Sequence, residues 1–472
     1  MVSSHKKSSR IVNDSIHGDI ALADEEWKVV NTATFQRLRS LKQLGMGHLV
    51  YPNATHTRFA HSLGVFRIMC RVLENLDHTE LDNDRKSNLR LAALLHDIGH
   101  YPYSHLMERV SNVTLTEEIL TSSDSKTISW QKDEYPDHEE LGRYILEHQS
   151  DIREALGGDT RAKAIGALFS RLEATDQQLS KLIHSSLDMD RLDYLLRDAR
   201  AAGVPYGEID LNYLLNSIRI SPNGTLGVDE KALAAAEHFL LARVFMHRVV
   251  YYHKTTYGFE EACRQLLRRA RDSDRYSELL ADNGTQIRDI CSGTKLRSFT
   301  DDYVDRVVQK AASDQQDAVI SMLAKCMIER RPPRLLVEVG CLEGKSEQFT
   351  AGSFFKQQCR NKLHELAEKY KLNVGQFLLC GPKPIKFEER GSLFSRADAE
   401  RITREEREEL IKVFRKNEPE PRSIVEIDGS VIKSLSNQVF SIQRLYLVQG
   451  DIDPASLSEL KSEVKRWATP PQ

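Results

Sequence analysis

Apolar residues along this chain recur mainly at steps of three and four, the spacing of helices with one buried face. Phe35, Leu38, Leu41 and Leu44 mark one short helix. Val65, Met69, Val72, Leu73 and Leu76 form a longer stripe, and Leu89, Leu91, Ala92, Leu94 and Leu95 lead directly into His96. Further helices are predicted over 138–148, 160–172, 176–198, 230–255 and 257–272. Ile20-Ala21-Leu22 reads as a short extended piece, and the polar stretch 120–137, which holds Pro136, as a surface loop. The texture changes at Arg330-Arg331-Pro332-Pro333, the best boundary signal in the chain. Beyond it, 335–339 reads as a strand and 424–432 as two short strands about an Asp428-Gly429 turn. The expectation is a mainly α protein, with a helical body over 1–330 and a small α+β lobe over 331–472.

Composition narrows the setting. At 472 residues with 40% hydrophobic content, the chain exceeds the usual single domain and has ample material for a core. Charged residues, 29% of the total, nearly balance to a net −3, which argues against a generic nucleic-acid-coating protein and against an acidic disordered tail. No aromatic-basic stripe marks a single-strand platform, so nucleic acid is left as a partner only at local sites between subunits. Cys70, Cys263, Cys291, Cys326, Cys341, Cys359 and Cys380 are odd in number and widely spaced, without a Cys-x-x-Cys pair. They suggest neither a zinc ribbon nor a disulfide framework, and a reducing cytoplasm is the simplest location. The polar N-terminus lacks the apolar core of a signal peptide, and no run approaches the roughly 20 apolar residues of a membrane helix.

The chemistry concentrates at His96-Asp97-Ile98-Gly99-His100-Tyr101-Pro102-Tyr103-Ser104-His105, where an apolar helix runs into adjacent imidazole and carboxylate groups. Burying such a carboxylate is costly unless it is paired or bound to a metal. Mixed imidazole and carboxylate ligands suit Fe, Mn, Zn or Co. A His-Asp pair alone is more often a hydrogen-bonded helix end than a metal site. Two further segments change that weighting. Upstream, His61 opens an amphipathic helix. Downstream, Ile183, Leu187, Asp190 and Tyr194 fall on one helical stripe, which puts Asp190 on the face that should be buried. Asp193 and Arg197, four residues apart, read as an ordinary pair on the helix surface.

The ordered set His61, His96-Asp97 and Asp190 resembles the metal-binding signature of HD-domain phosphohydrolases. The flanking Gln36-Arg37-Leu38-Arg39, Lys42-Gln43-Leu44-Gly45 and His56-x-Arg58-Phe59-x-His61-Ser62-Leu63-Gly64-Val65 are similar to the dNTP triphosphohydrolase branch of that family, over roughly residues 10 to 270. The resemblance implies an HD-domain helical body holding one divalent ion (Fe, Mn, Zn, Co or Mg) on His61, His96, Asp97 and Asp190. It implies hydrolysis of dNTPs to deoxynucleoside and inorganic triphosphate, in dNTP-pool control or phage defence. His105 resembles the proton donor, with His100 and His138 near the phosphates and Glu108 and Glu139 orienting these histidines. Arg243, His247 and Tyr251, each four apart, match residues that bind triphosphate and base, and Arg58, Arg191 and Lys254 add positive charge. Gln43 and Leu44 resemble the pair at the sugar 3′ edge, Tyr194 the residue crowding the 2′ position, and Asp198 the acceptor for the 3′-hydroxyl. Relatives assemble as tetramers with activator nucleotides between subunits, which points to Asn31 and Arg39 here. Asn31 replaces an aspartate, so a guanine-specific activator is not expected. The metal signature alone fits an HD nuclease or another nucleotide phosphohydrolase equally well, and a non-catalytic nucleotide sensor is the third reading.

Overall fold

In the computed structural model the long apolar stripes become helices, and the protein is mainly α. The structure describes residues 10–76, 81–111, 134–169, 177–221, 225–344, 351–387 and 410–468, apart from 383, 417, 419, 449 and 451. Most of the expected 120–137 loop and the end of the helix expected over 160–172 lie outside the described residues. A hairpin opens the chain, strand β1 (Arg10–Asp14) against β2 (Gly18–Leu22), followed by α1 (Asp24–Val30). The Asp14 carboxylate closes the hairpin turn by accepting from the backbone N–H groups of Ile16 and His17. Segment 35–44 is not one helix but a helical turn followed by a tighter one. Lys42 leaves it to bridge Thr57, and Gly45 takes a positive φ of 50°.

Three helices build the frame of the site: α2 (Arg58–Asn75), α3 (Asn83–Leu95) and, later in the chain, one beginning at Met189. Helices α4 (His138–His148) and α5 (Asp159–Phe169) pack on one another, and α5 also packs on α3. Asp82 starts α3 by accepting from the Arg85 N–H, and 91–95 are buried throughout. The helix expected over 176–198 is instead broken. Asp188 caps a new helix, α6 (Met189–Ala202), accepting from the N–H groups of Arg191 and Ser185. Ile183 and Leu187 therefore lie outside α6, and Asp190 sits in its first turn. Helix α6 packs against α2, as does α3.

Helix α7 (Leu233–Met246) runs into a wider π-helical turn, His247–Tyr251, before α8 (Lys254–Arg271), so the helix expected over 230–255 changes pitch at its end. Helices α9 (Asp301–Ala312) and α10 (Ala318–Ile328) complete the body by packing on α8. Beyond Pro333 lies a second core. In its sheet β10 (Gln438–Leu447) runs antiparallel to β5 (Arg334–Gly344) on one side and to β6 (Phe377–Cys380) and the short β7 (Ile385–Lys386) on the other. Helices α11 (Ala351–Lys369) and α12 (Pro454–Ala468) cover it, burying Leu336, Phe355, Leu363, Phe377, Leu445 and Leu460. The same segment is also tied to the body. In a second small sheet β3 (Ile218–Ile220) and β4 (Leu226–Asp229) are extended by β8 (Lys412–Phe414), parallel to β4, and then β9 (Arg422–Ser423). Asp428-Gly429 does form a turn, with Gly429 at φ 84°, but strands do not flank it. A tight turn precedes it and a short helix, Val431–Leu435, follows. The Ser423/Glu426 capping box and burial of Ile424 and Ile432 against the body favour helical geometry there. Among the described residues no helix is long and apolar enough to cross a membrane.

One close approach sets the position of the chemistry. A Cβ on Gly99 would lie 2.1 Å from the His138 carbonyl oxygen and 2.3 Å from the Gly142 nitrogen, so the turn after His96-Asp97 presses on the start of α4. We expect Gly99→Ala to destabilise the fold by roughly 1–3 kcal/mol, read as a lowered denaturation midpoint. An unchanged midpoint would mean the turn and α4 separate freely.

Candidate active site

His61 from α2, His96 and Asp97 from the end of α3, and Asp190 from the first turn of α6 converge at the crossing of these helices. His61 Nε2 lies 3.0 Å from Asp190 Oδ1 and 3.6 Å from Asp97 Oδ2. His96 Nε2 lies 3.3 Å from Asp97 Oδ1 and 3.7 Å from Asp190 Oδ1. Ligand atoms held about 2.1 Å from a shared ion stand about 3.0–3.4 Å apart; His61, His96 and Asp190 bring one ligand atom each close enough to share an ion, and Asp97 turns one carboxylate oxygen toward each imidazole. Nitrogen chemistry supports the fit. His96 Nδ1 donates to the Ala93 carbonyl, which leaves its Nε2 lone pair aimed into the cluster, buried and without a hydrogen-bond partner. His61 Nδ1 donates to Asp193 Oδ2 at 2.7 Å, so its Nε2 also faces the cluster. The residues present fit a divalent cation.

Asp193 and Arg197 do pair, but inside the protein rather than on the helix surface. The Asp193 side chain is fully buried, and it accepts from His61, from His17 at 2.6 Å and from Arg197 at 2.8 Å. Arg197 in turn donates to Asp14 at the hairpin turn. The carboxylate behind a metal-binding imidazole orients the ring and strengthens it as a ligand. A signal for it existed: Asp193 follows Asp190 by three residues and so shares its buried face. Gly64 makes the approach, since a Cβ there would lie 1.9 Å from Asp193 Oδ1. Arg37 is a second such support. Buried, it donates to the carbonyls of Ile98, His100 and Phe299 and so clamps the turn that carries the ligands.

Beside the cluster stands a trio of histidines. His100 and His138 stack with ring centroids 4.1 Å apart, and His105 meets both rings edge-on. Glu108 bridges His105 Nδ1 at 2.6 Å and His138 Nδ1 at 2.8 Å. Burial opposes a charge on His138, but Glu108 outweighs it and raises the imidazole to about 9. Burial lowers His105 to about 4 despite Glu108. Its side chain is nevertheless 38% exposed, enough to meet a ligand. Glu139 faces a different histidine, His184, at 3.7 Å.

Both groups open onto one cavity of about 300 Å³. Gln43, Leu44, Arg58, His96, Asp97, His100, His105, His138, Glu139, Asp190, Arg191, Tyr194, Asp198, Arg243, His247 and Tyr251 all line it. His61 lies just behind the wall, and Glu108 lies behind the two imidazoles it bridges. Arg58 donates to Asp97 and to Ser104, so its charge first serves a ligand. Arg191 bonds Asp188 and the Ser185 carbonyl, and Arg243 donates to the Lys386 carbonyl. Burial with Arg243 and Arg191 nearby lowers His247 to about 3. Asp198 accepts from the Tyr251 hydroxyl at 2.8 Å and holds His56 at 2.7 Å, a partner to which the sequence reading gave no role. Lys254 is exposed and does not line the cavity, contrary to its expected place among the phosphate cations. Asn31 and Arg39 are exposed and also off the cavity. Asn31 donates to the Trp27 carbonyl, and Arg39 bonds Gln36 while lying over the Phe59 ring.

A His/Asp quartet at the crossing of three helices, beside a pocket of imidazoles and cations, defines a helical hydrolase. Residues 58–198 match the family described as HD domain, and 209–311 match the HD associated region; the chain belongs to the HD-domain phosphohydrolases. The uncharacterized protein YwfO of Bacillus subtilis is 28% identical over 74% of this chain and 76% of its own length. Human deoxynucleoside triphosphate triphosphohydrolase SAMHD1 is 26% identical over 54% of this chain, which spans only 43% of that protein. The chain spans about half the length of several other curated relatives it matches. A crystal structure of a phosphohydrolase from Bacteroides thetaiotaomicron has the same fold, with a TM-score of 0.68 at 24% identity over 94% of this chain and 100% of that one.

Burial opposes protonation of His61, but Asp190 and Asp193 override it and raise the ion-free imidazole to about 10. Below that pH a metal displaces a proton, so affinity should rise with pH and binding at neutral pH should release protons. Calorimetry with Mn²⁺ in two buffers of different ionisation enthalpy reads this directly. Asp193→Asn should weaken binding about ten- to hundredfold. Undiminished affinity would make Asp193 a structural group only.

Proposed function

We propose that this protein hydrolyses deoxynucleoside triphosphates to the deoxynucleoside and intact inorganic triphosphate. The supporting observation is that His96, Asp97 and Asp190 of the quartet, the Glu108-linked histidines and the Tyr194–Asp198–Tyr251 wall all meet one cavity. The relatives named as dNTP triphosphohydrolases point the same way. A bound divalent ion supplies an activated water and polarises a phosphoryl oxygen.

The chain's own residues do the rest. His61, His96, Asp97 and Asp190 hold the ion. Cationic His138, Arg191 and Arg243 offset the charge of the triphosphate, while His100 and His247, whose imidazoles burial holds in the neutral form, hydrogen-bond to it. His105 donates a proton to the departing 5′-oxygen, because a bound polyanion raises its imidazole from the low value of the free protein. Glu108 keeps that ring oriented, and Glu139 acts at the same rim through His184. Gln43 and Leu44 border the 3′ side of the sugar, Asp198 accepts from its 3′-hydroxyl, and Tyr194, set edge-on to Tyr251, fills the space of a 2′-hydroxyl. Assembly as a homotetramer with a nucleotide activator at Asn31 and Arg39 is part of the same reading, as is a cytoplasmic role in dNTP-pool control or phage defence.

The deciding assay is ³¹P NMR of Mn²⁺-loaded protein with each dNTP and then with all four. The expected product is triphosphate; orthophosphate or pyrophosphate in its place would remove the assignment. Tyr194→Ala should narrow the preference for deoxy- over ribonucleotides about tenfold or more, read as the ratio of kcat/KM values. An unchanged ratio would take the sugar-reading role from Tyr194. Because the His138 cation is lost as pH rises through about 9, kcat/KM should fall on that alkaline limb. Glu108→Gln removes the group that raises His138 and should move the limb to lower pH; an unmoved limb would assign it to another group.

A further inference from the structure

The cavity extends beyond the metal cluster, the histidine trio and the Tyr194–Asp198–Tyr251 wall. Past Leu44 it continues between α8 and the lobe strand β7, where Arg109, Tyr252, Tyr257, Glu260, Arg264 and Lys386 line it. Glu260 lies beside the residue that follows Leu44: a Cβ on Gly45 would be 3.7 Å from Glu260 Oε1. Among the described residues its carboxyl accepts no hydrogen bond and joins no ion pair, and neighbouring Arg264 pairs with Glu261 instead. Burial, opposed by Arg264 and Arg109, raises Glu260 to about 7. A carboxyl in this state gains from any ligand that offers it N–H donors, because such bonds favour the charged form. The aromatic rings of Tyr252 and Tyr257, 6.1 Å apart and edge-to-face, stand at the same end.

If the sugar lies against Leu44, Tyr194 and Tyr251, the next group of a nucleotide is its base, and this end of the cavity is where it goes. An ionised carboxylate only accepts hydrogen bonds. Guanine offers it two adjacent donors, N1–H and the N2 amino group. Adenine and cytosine offer one amino donor next to a ring acceptor, and thymine flanks its single N–H with two carbonyls. Arg109, near enough to Glu260 to act on its charge, presents donors that suit the neighbouring O6 of guanine. We infer that Glu260 is a specificity-determining residue that reads the nucleobase and makes dGTP the preferred substrate over dTTP. The inference rests on the dNTP reading above and names the substrate within it.

The test compares kcat/KM for dGTP, dITP and dTTP in wild type and Glu260→Gln, with dITP included because it lacks only the N2 amino group. Wild type should favour dGTP over dTTP by about tenfold or more, with dITP in between. Glu260→Gln, which swaps one acceptor for a donor at nearly the same volume, should collapse the dGTP/dITP ratio toward unity. Ratios within one protein do not depend on how much of it is folded. Flat ratios in wild type, or a dGTP/dITP ratio that Glu260→Gln leaves unchanged, would overturn the inference while leaving dNTP hydrolysis intact. Absence of triphosphate from every dNTP would overturn the dNTP reading itself, and this inference with it.

Discussion

Three carboxylates and two imidazoles packed where α2, α3 and α6 cross are the constraint on which the rest of this structure depends. Asp97 and Asp193 are almost completely buried, and burial works against their charge. Arg58, His96 and His100 nonetheless hold Asp97 well below the usual carboxylate range, and Arg197, His17 and His61 do the same for Asp193. Each anion is therefore answered by a cation or an N–H donor: in the ion-free protein His61 donates to Asp190 as well as to Asp193, and a bound ion would take the place of the proton shared with Asp190. Removing one member of such a set strands another, which is why the supports reach as far as Asp14 and His17 in the N-terminal hairpin.

The same logic links fold to chemistry. Helix α3 stops at His96-Asp97 and the chain turns at once, with Tyr103 and Ser104 at φ 51° and 56°. Backbone held in that region by non-glycine residues is disfavoured unless its surroundings fix it. Here Asp301 accepts from the Tyr103 N–H, Ser104 meets Arg58, and Arg37 holds the carbonyls upstream. The turn thereby aims His100 and His105 at the cavity rather than away from it. The C-terminal segment takes part too, because β7 closes the far end of the cavity and its Lys386 carbonyl accepts from Arg243.

Much of this was legible in the chain. The set His61, His96-Asp97, Asp190, singled out by its resemblance to the HD signature, falls on side chains that the structure brings within 3.0–3.7 Å of one another. Long amphipathic stripes were equally readable. What failed depended on information the local pattern lacks. A single period ran through 176–198 because Ile183 and Leu187 keep helical spacing, but the Asp188 cap resets the chain before Asp190. Asp428-Gly429 promised a hairpin, and the turn is there; burial of Ile424 and Ile432 on the distant body decided the flanks. Asp193 and Arg197, four residues apart, suit a surface ion pair by spacing alone; the face shared with Asp190 and the close approach at Gly64 make the pair internal. Partners such as His17, 176 residues from Asp193, have no signature in sequence at all.

The claim beneath all of this is that one ion sits among His61, His96, Asp97 and Asp190. Anomalous diffraction from crystals grown with Mn²⁺ tests it most directly. The account predicts a peak about 2.0–2.2 Å from those four side chains, absent from the Asp190→Ala variant. A peak held instead by His100, His105 and His138, a second group among the described residues whose ligand atoms lie close enough to share an ion, would contradict it.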